Sequence, residues 1–351
     1  MLQTRLAYSA ILDNAVERLS QGRPLLKTRL DQSLQTLVPK PNAYIPKDGD
    51  RSTQHLDALG TLNMNGFPVE FTFASHDPSL RYTCEVESPE LSPNLRLDRA
   101  IQLLSQLGVY SSGGDTWASI ARVQQGDPLK WGAWIGVRHA AKGDRHKLYI
   151  QVPESMPPSA RTLINQYVTP LSGFDQTAFK LVAVGYPMDD SRIEFYFRFE
   201  ATELHMGQVA LLMQSLGYWH QYQPLMVAIK TLQQDHRVGT PTILPEGTYG
   251  FSVSCSLEQS EPPIFSWFAY PLPLCGDDLA TREVVLGMAQ HYRWDFSRYR
   301  ALTQSMPIRQ DDPPHHNAIA LIVPPQGPFA MHVSLSPPAT VMGARSASTS
   351  A

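Results

Sequence analysis

The chain has 351 residues, 42% hydrophobic and 17% charged, with a formal net charge of -3, which suits one large or two ordinary domains with a sizeable core. It has neither the basic excess nor the basic run of a general nucleic-acid binder. No apolar segment approaches the ~20 residues that cross a bilayer, the start MLQTRLAYSAILDNAVERL lacks a signal-peptide core, and the scattered Cys84, Cys255 and Cys275 suit buried reduced thiols, so a cytoplasmic protein with no membrane or nucleic-acid partner is expected.

Residues 1–60 read as an N-terminal helical segment, with apolar positions Leu6, Ile11, Leu12, Val16 and Leu19 in one helix and Leu25, Leu30, Leu34 and Leu37 in a second. Prolines 39, 41 and 46 then break the pattern. Next comes NGFPVEFTFASHDPSLRYTCEVESP, in which Val69, Phe71 and Phe73 alternate with Glu70 and Thr72, and Tyr82, Cys84 and Val86 alternate with Arg81 and Thr83. This predicts a strand pair with one apolar and one polar face. The amphipathic LRLDRAIQLLSQLG follows as a helix ending at a glycine.

The same unit then recurs. GAWIGVRH and HKLYIQVPE pair around the turn AAKGDR before the helical SARTLINQYV; FKLVAVGYP and RIEFYFRFE pair before MGQVALLMQSLG. YGFSVSCSLE and PIFSWFAYPLP pair before ATREVVLGMAQHYRWDF, and NAIALIVPP pairs with FAMHVSLSPP with no helix after it. The repeat is roughly 50 to 60 residues long, beyond the usual solenoid periods. The tail 339–351 is rich in Ser, Ala and Thr and is expected to be disordered.

In each pair one face is apolar, as with Ile193, Phe195, Phe197 and Phe199, and the other carries polar or aromatic groups. Those polar faces hold Trp134 and Arg138; Lys147 and Tyr149; Arg192, Glu194, Tyr196 and Arg198; Ser252 and Ser254; His332 and Ser334. Each apolar face needs cover, and each pair but the last is followed by a helix able to supply it. The fold class expected is α+β: over residues 61–338, ten antiparallel strands closed into a barrel, helices outside, and a polar and aromatic lumen wide enough for a ligand.

This plan resembles the aromatic prenyltransferases of the α-β-β-α barrel type, and the dimethylallyltryptophan synthase branch in particular. The motifs that carry the resemblance are Pro68-Val69-Glu70 for the branch's P-x-E segment, Arg81 on the next strand, Lys147-Leu148-Tyr149 for its K-x-Y strand, and Arg192 through Tyr196 for R-x-K-x-Y. The chain departs from the branch at Glu194, where a lysine is usual, at Phe268, where a glutamine or lysine is usual beside the tyrosine matched by Tyr270, and at His332, where tyrosines are usual.

The resemblance implies transfer of a dimethylallyl or geranyl group from its diphosphate to an indole-bearing small molecule or peptide in secondary metabolism. Arg81, Lys147 and Arg192, with Arg138 and Arg198 assisting and Tyr149 and Tyr196 donating hydroxyls, would meet the leaving diphosphate where charge develops. Tyr149, Tyr196, Tyr270 and Trp134, beside Phe268, would shield the allylic cation with their π faces. Glu70 would accept the indole N–H, and His332 would take the proton released after carbon–carbon bond formation. Glu194 is expected between Arg192 and Arg198, neutralised by them.

No cofactor is expected beyond the prenyl diphosphate co-substrate, with magnesium at most stimulatory. The pairs Asp189/Asp190, Asp277/Asp278 and Asp311/Asp312 lack the DDxxD spacing, and QDDPPHH reads as a turn. A monomer or homodimer is expected. Two alternatives stay open: a barrel that binds a hydrophobic small molecule without turnover, and a phenol or hydroxynaphthalene prenyltransferase.

Overall fold

The computed structural model describes residues 2–38, 61–109, 115–168, 178–189, 192–200, 204–233, 243–258, 261–304, 306 and 314–337. The proline-rich stretch after residue 38, Asp190, Asp311, Asp312 and the tail from residue 339 lie outside them.

Ten strands form: β1 (Val69–Ala74), β2 (Asp77–Glu85), β3 (Ala133–Ala140), β4 (Gly143–Gln151), β5 (Phe179–Pro187), β6 (Arg192–Phe199), β7 (Tyr249–Ser256), β8 (Ile264–Ala269), β9 (His316–Val323) and β10 (Ala330–Leu335). Each pairs antiparallel with its sequence neighbour, and β10 pairs with β1 through Thr72 opposite Ser334. The sheet therefore closes into a barrel with no free edge.

The barrel is apolar outside and polar within. Along β6, Ile193, Phe195, Phe197 and Phe199 are no more than 6% exposed, whereas Arg192, Glu194, Tyr196 and Arg198 stay partly accessible. The buried set faces the helices and the accessible set faces a hollow, as the two-residue period of a strand requires.

The covering helices are α1 (Leu2–Ser20), α2 (Pro24–Leu37), α3 (Arg96–Gln106), α4 (Asp115–Ala121), α5 (Pro158–Tyr167), α6 (Met206–Ser215), α7 (Tyr222–Leu232), α8 (Pro271–Cys275), α9 (Asp278–Tyr292) and α10 (Ser297–Thr303). α3 buries Leu97, Ala100, Leu103 and Leu104 as one stripe, and Gly108 at φ 73 follows its end. The Asp277 carboxylate caps α9 by accepting from the Ala280 N–H at 2.7 Å. Among the described residues, no helix is long and apolar enough to cross a membrane. Cys84, Cys255 and Cys275 are free and buried.

The structure corrects several local expectations. The β3–β4 turn is Ala141 and Lys142 alone rather than six residues, because Ala140 pairs with Gly143, which adopts φ 131. β8 stops at Ala269, since Pro271 starts α8, so Tyr270 lies just past the strand rather than on it. α4, α7, α8 and α10 were not foreseen; they share connections in which one helix was expected.

Of the two N-terminal helices, α2 docks on the barrel through a buried polar brace. Tyr82 donates to the Ser33 hydroxyl at 2.8 Å, Ser33 lies 3.2 Å from His139 Nε2, and His139 Nδ1 lies 2.8 Å from Asp144. The order is that of a hydrolytic triad, but Ser33 is 4% exposed and its hydroxyl donates to the Leu30 carbonyl of its own helix. Burial, with Arg29 and His146 nearby, lowers the His139 pKa to about 4. The trio is a packing device.

Candidate active site in the barrel lumen

Strand register brings the predicted residues onto one inner wall. Thr72 stands opposite Arg81, Arg81 opposite Arg138, Trp134 opposite Tyr149, Tyr149 opposite Gly185, and Gly185 opposite Glu194. On the far side, Arg198 pairs with Gly250, Gly250 with Phe268, Phe268 with Ala320, and Ala320 with His332. Paired residues share a face, so all these positions look into the same hollow.

At the start of β1, Glu70 accepts from the Asn317 amide at 3.0 Å. Asn317 also donates to the side-chain amide oxygen of Asn63, and its own oxygen accepts from the Met64 N–H at 3.4 Å, which fixes the amide. Burial pushes the Glu70 pKa up to about 7, against the opposing hydrogen bonds from Asn317 and Ser334. Tyr270, 39% exposed at the rim, is close enough for Glu70 to help raise its phenol pKa after burial.

The centre of the wall is built around Lys147. Its ammonium bonds the Glu194 carboxylate and donates to the Tyr196 hydroxyl at 2.9 Å. It also lies 4.9 Å from the Tyr149 ring centre and 5.3 Å from that of Tyr196. Ser252 donates to the second Glu194 oxygen at 2.7 Å. Burial alone would drive both groups toward neutrality, but their attraction lowers the Glu194 pKa and raises that of Lys147, so both stay charged.

Two glycines make room for this arrangement. A Cβ at Gly185 would come 2.4 Å from Lys147 Cε, and one at Gly136 would come 2.9 Å from the Tyr149 ring. Tyr149 and Tyr196 have ring centres 5.8 Å apart, and Phe268 continues the wall 6.4 Å from Tyr196. Trp134 stacks on Trp131 with centres 3.9 Å apart, and its buried Nε1 has no hydrogen-bond partner among the described residues.

Toward the hairpin turns, Arg81 and Arg138 both bind Asp77, the latter at 2.6 Å. Burial would raise the Asp77 pKa, but the Ser79 and Arg81 hydrogen bonds hold it well below the usual carboxylate range. His332 stacks on His76, and burial with the Arg81 charge keeps it neutral, its pKa well below the ordinary value.

The expected cation cluster therefore differs in detail. Glu194 pairs with Lys147 rather than with the arginines flanking it on β6, because Gly185 opens the path between them. Arg192 and Arg198 sit near opposite ends of β6; Arg192 binds Glu261 at 2.7 Å and the Ser254 carbonyl at 2.7 Å, and Arg198 binds Glu200 at 2.9 Å. A strand rises ~3.3 Å per residue, too much over that separation for both to meet one diphosphate.

Sequence reasoning did not single out Asn317, Asp77 or His76. Ser252 and Ser334 were visible on polar strand faces, while Asn317 shows in sequence only as a lone polar residue before an apolar run. Of the stretch QDDPPHH, His316 bonds Asp278 at 2.6 Å and Tyr299 at 2.8 Å outside the lumen. No group of three or more potential metal ligands occurs among the described residues.

No protein-family model matches the sequence, and no curated protein does. In structure the chain is similar to the 6-dimethylallyltryptophan synthase of Micromonospora olivasterospora, solved with DMASPP and Trp, at TM-score 0.73 and 15% identity over 95% of this chain and 99% of that one. It is similar to the 5-dimethylallyltryptophan synthase of Streptomyces coelicolor, also with DMASPP and Trp, at TM-score 0.70 and 14% identity over 94% of each chain. AnaPT of Neosartorya fischeri matches at TM-score 0.67 and 12% identity over 96% of this chain and 94% of its own. The fold of the chain is thus the ten-stranded barrel of the dimethylallyltryptophan synthases.

Proposed function

We propose that the protein is an aromatic prenyltransferase that moves a dimethylallyl or geranyl group from its diphosphate to an indole-bearing small molecule or peptide by electrophilic aromatic substitution. The observation that carries this reading is the convergence of Glu70, Lys147, Tyr149 and Tyr196 on one lumen, in a fold whose relatives were solved holding DMASPP and Trp. Glu70 accepts the indole N–H as a carboxylate; its pKa of about 7 leaves it partly protonated at neutral pH, and the donated hydrogen bond favours the charged form.

The allylic cation is stabilised by the faces of Tyr149 and Tyr196, rings that also attract the Lys147 ammonium. When the carbon–oxygen bond of the donor breaks, its electron pair stays on the diphosphate, and Lys147 with Arg81 answers that charge. The lumen excludes water from the cation. Side-chain cations perform the role that a metal fills in other isoprenoid enzymes, so no cofactor enters this reading. We place the enzyme in the cytoplasm, as a monomer or homodimer.

The test is incubation of the purified full chain with dimethylallyl or geranyl diphosphate and separately with tryptophan, tryptophan-containing cyclic dipeptides and hydroxynaphthalenes. A prenylated indole product identified by mass and fragmentation is the expected outcome. Product with the naphthol alone would reassign the acceptor, and donor binding with no product from any acceptor would reject transfer.

A further inference from the structure

The lumen wall carries its charge unevenly. Lys147 and Glu194 form a neutral pair, whereas Arg81 and Arg138, directly opposed on β2 and β3, share the single carboxylate of Asp77 and keep one net positive charge. Ser79 holds both guanidiniums side by side, its hydroxyl accepting from Arg138 Nε at 3.0 Å and from Arg81 Nε at 3.4 Å. Beside them His76 and His332 stack with ring centres 5.3 Å apart and planes 16° apart, and His332 Nε2 lies 3.5 Å from Arg81 Nη1.

Two stacked imidazoles next to two guanidiniums cannot both be charged unless an anion arrives. Asp77 does not supply that anion, because both arginines and Ser79 already occupy it. The other charged groups acting on the cluster leave the excess positive: Lys147 bears on His332 from β4, Arg298 donates to the Pro78 carbonyl from α10, and Arg145, opposite Arg138 on β4, is offset by its own partner Asp189. The pocket is rich in donors, net positive and short of negative charge.

We propose that His76, Arg81, Arg138 and His332 form the seat of a diphosphate group, and that the two imidazoles take up protons as the anion enters. The inference rests on the prenyl-transfer reading for the identity of the anion and extends it to two histidines and to a proton-coupled binding step. It also moves His332 from proton removal to leaving-group binding. The β10 register supports that move, since His332 stands opposite Ala74, four positions along β1 from Glu70.

The experiment is calorimetric titration of the full chain with inorganic pyrophosphate at pH 6 and pH 8, in buffers of different ionisation enthalpy, alongside the double variant His76→Gln/His332→Gln. The pyrophosphate's own titration is common to both proteins and cancels in the comparison. The parent is expected to take up at least about half a proton more than the variant and to gain about tenfold more affinity on going from pH 8 to pH 6. NMR titration of the two imidazoles in the parent, with and without pyrophosphate, gives a reading that does not depend on the variant folding; the pKa values of both rings should rise with the anion. Equal pH dependence in parent and variant, imidazoles whose titration does not move, or inorganic phosphate bound as tightly as pyrophosphate would each overturn the assignment. Histidine-dependent pyrophosphate binding without prenyl product from any acceptor upholds the site and rejects the transferase reading. Prenyl product with histidine-independent pyrophosphate binding does the reverse.

Discussion

The Lys147 ammonium and the Glu194 carboxylate are bonded across the bare backbone of Gly185, on the strand that runs between theirs. The wall cation best placed between two tyrosine rings is thus already neutralised before any donor enters. A diphosphate reaching Lys147 meets Glu194 at the same moment.

Replacing Glu194 by glutamine keeps the Ser252 contact and removes the repulsion. Affinity for dimethylallyl thiolodiphosphate is expected to rise by about tenfold or more, since two charges a few ångströms apart in a partly desolvated site are worth more than ~1 kcal/mol. Lys147 then loses its partner, and a stability loss of about 3 kcal/mol should appear in thermal melts. Unchanged affinity and unchanged melting would place Glu194 away from the anion.

Gly185→Ala probes the same spot from the backbone. The new Cβ would meet Lys147 Cε at 2.4 Å, the far end of a flexible side chain, so the lysine yields rather than the barrel. Turnover should fall about tenfold or more through lost alignment, with melting temperature nearly preserved. A collapse of the melting temperature with the drop in activity would show that Gly185 serves the fold instead.

Glu70→Gln separates function from stability. Turnover should drop by about 10²-fold or more, the usual scale for a positioned acid or base. The folded-state Glu70 pKa of about 7 exceeds the ordinary 4.5, so the native state binds the proton more tightly and Glu70 costs stability as pH rises from about 4.5 through 7. The variant should therefore match the parent near pH 4.5 and exceed it by about 3 kcal/mol at pH 8 in denaturant titrations. In the parent, turnover should rise through pH 7 as the carboxylate forms.

Much of this site can be read in the sequence because a strand gives only two directions. Once Phe195 and Phe197 are assigned outward, Glu194 and Tyr196 must face inward, and closure of the barrel puts Lys147 and Arg81 on the same wall. Partnerships across strands are another matter, since they depend on register and on which neighbour lacks a side chain. Glu194 lies nearer in sequence to Arg192 and Arg198, yet pairs with Lys147 because of Gly185. Asn317 reaches Glu70 only through the closure of β9 and β10 onto β1, which no local pattern reveals. Tyr270 was expected on the strand because PIFSWFAYPLP was read as one strand through its prolines, whereas Pro271 starts α8.

Acid stability should depend on Asp278. Burial would raise its pKa, but His316 and the backbone N–H groups of His315 and His316 hold it at about 2, below the ordinary 3.8. Its contribution is full above pH 3.8 and is lost as pH falls through about 2, amounting to about 2 kcal/mol. Asp278→Asn should lower stability at pH 6 by that order and flatten the acid limb of the stability profile, as chemical denaturation at several pH values would show.

If side-chain cations receive the leaving group as proposed, turnover should persist in EDTA and added magnesium should raise it only modestly. Complete loss in chelator, restored by magnesium, would assign the diphosphate charge to a metal ion.

The inside-out wall divides the strands into two alphabets with different grammars. Outward positions interlock, as where Phe197 and Phe251 stack with centres 4.7 Å apart, and a change there must be answered by a neighbour. Inward positions face the hollow and meet one another only at points such as Lys147, Glu194 and Gly185, so away from those points a new side chain reshapes the hollow more than the frame. The frame itself tolerates wide change in sequence, since a chain only 12 to 15% identical to AnaPT and the tryptophan synthases shares their fold.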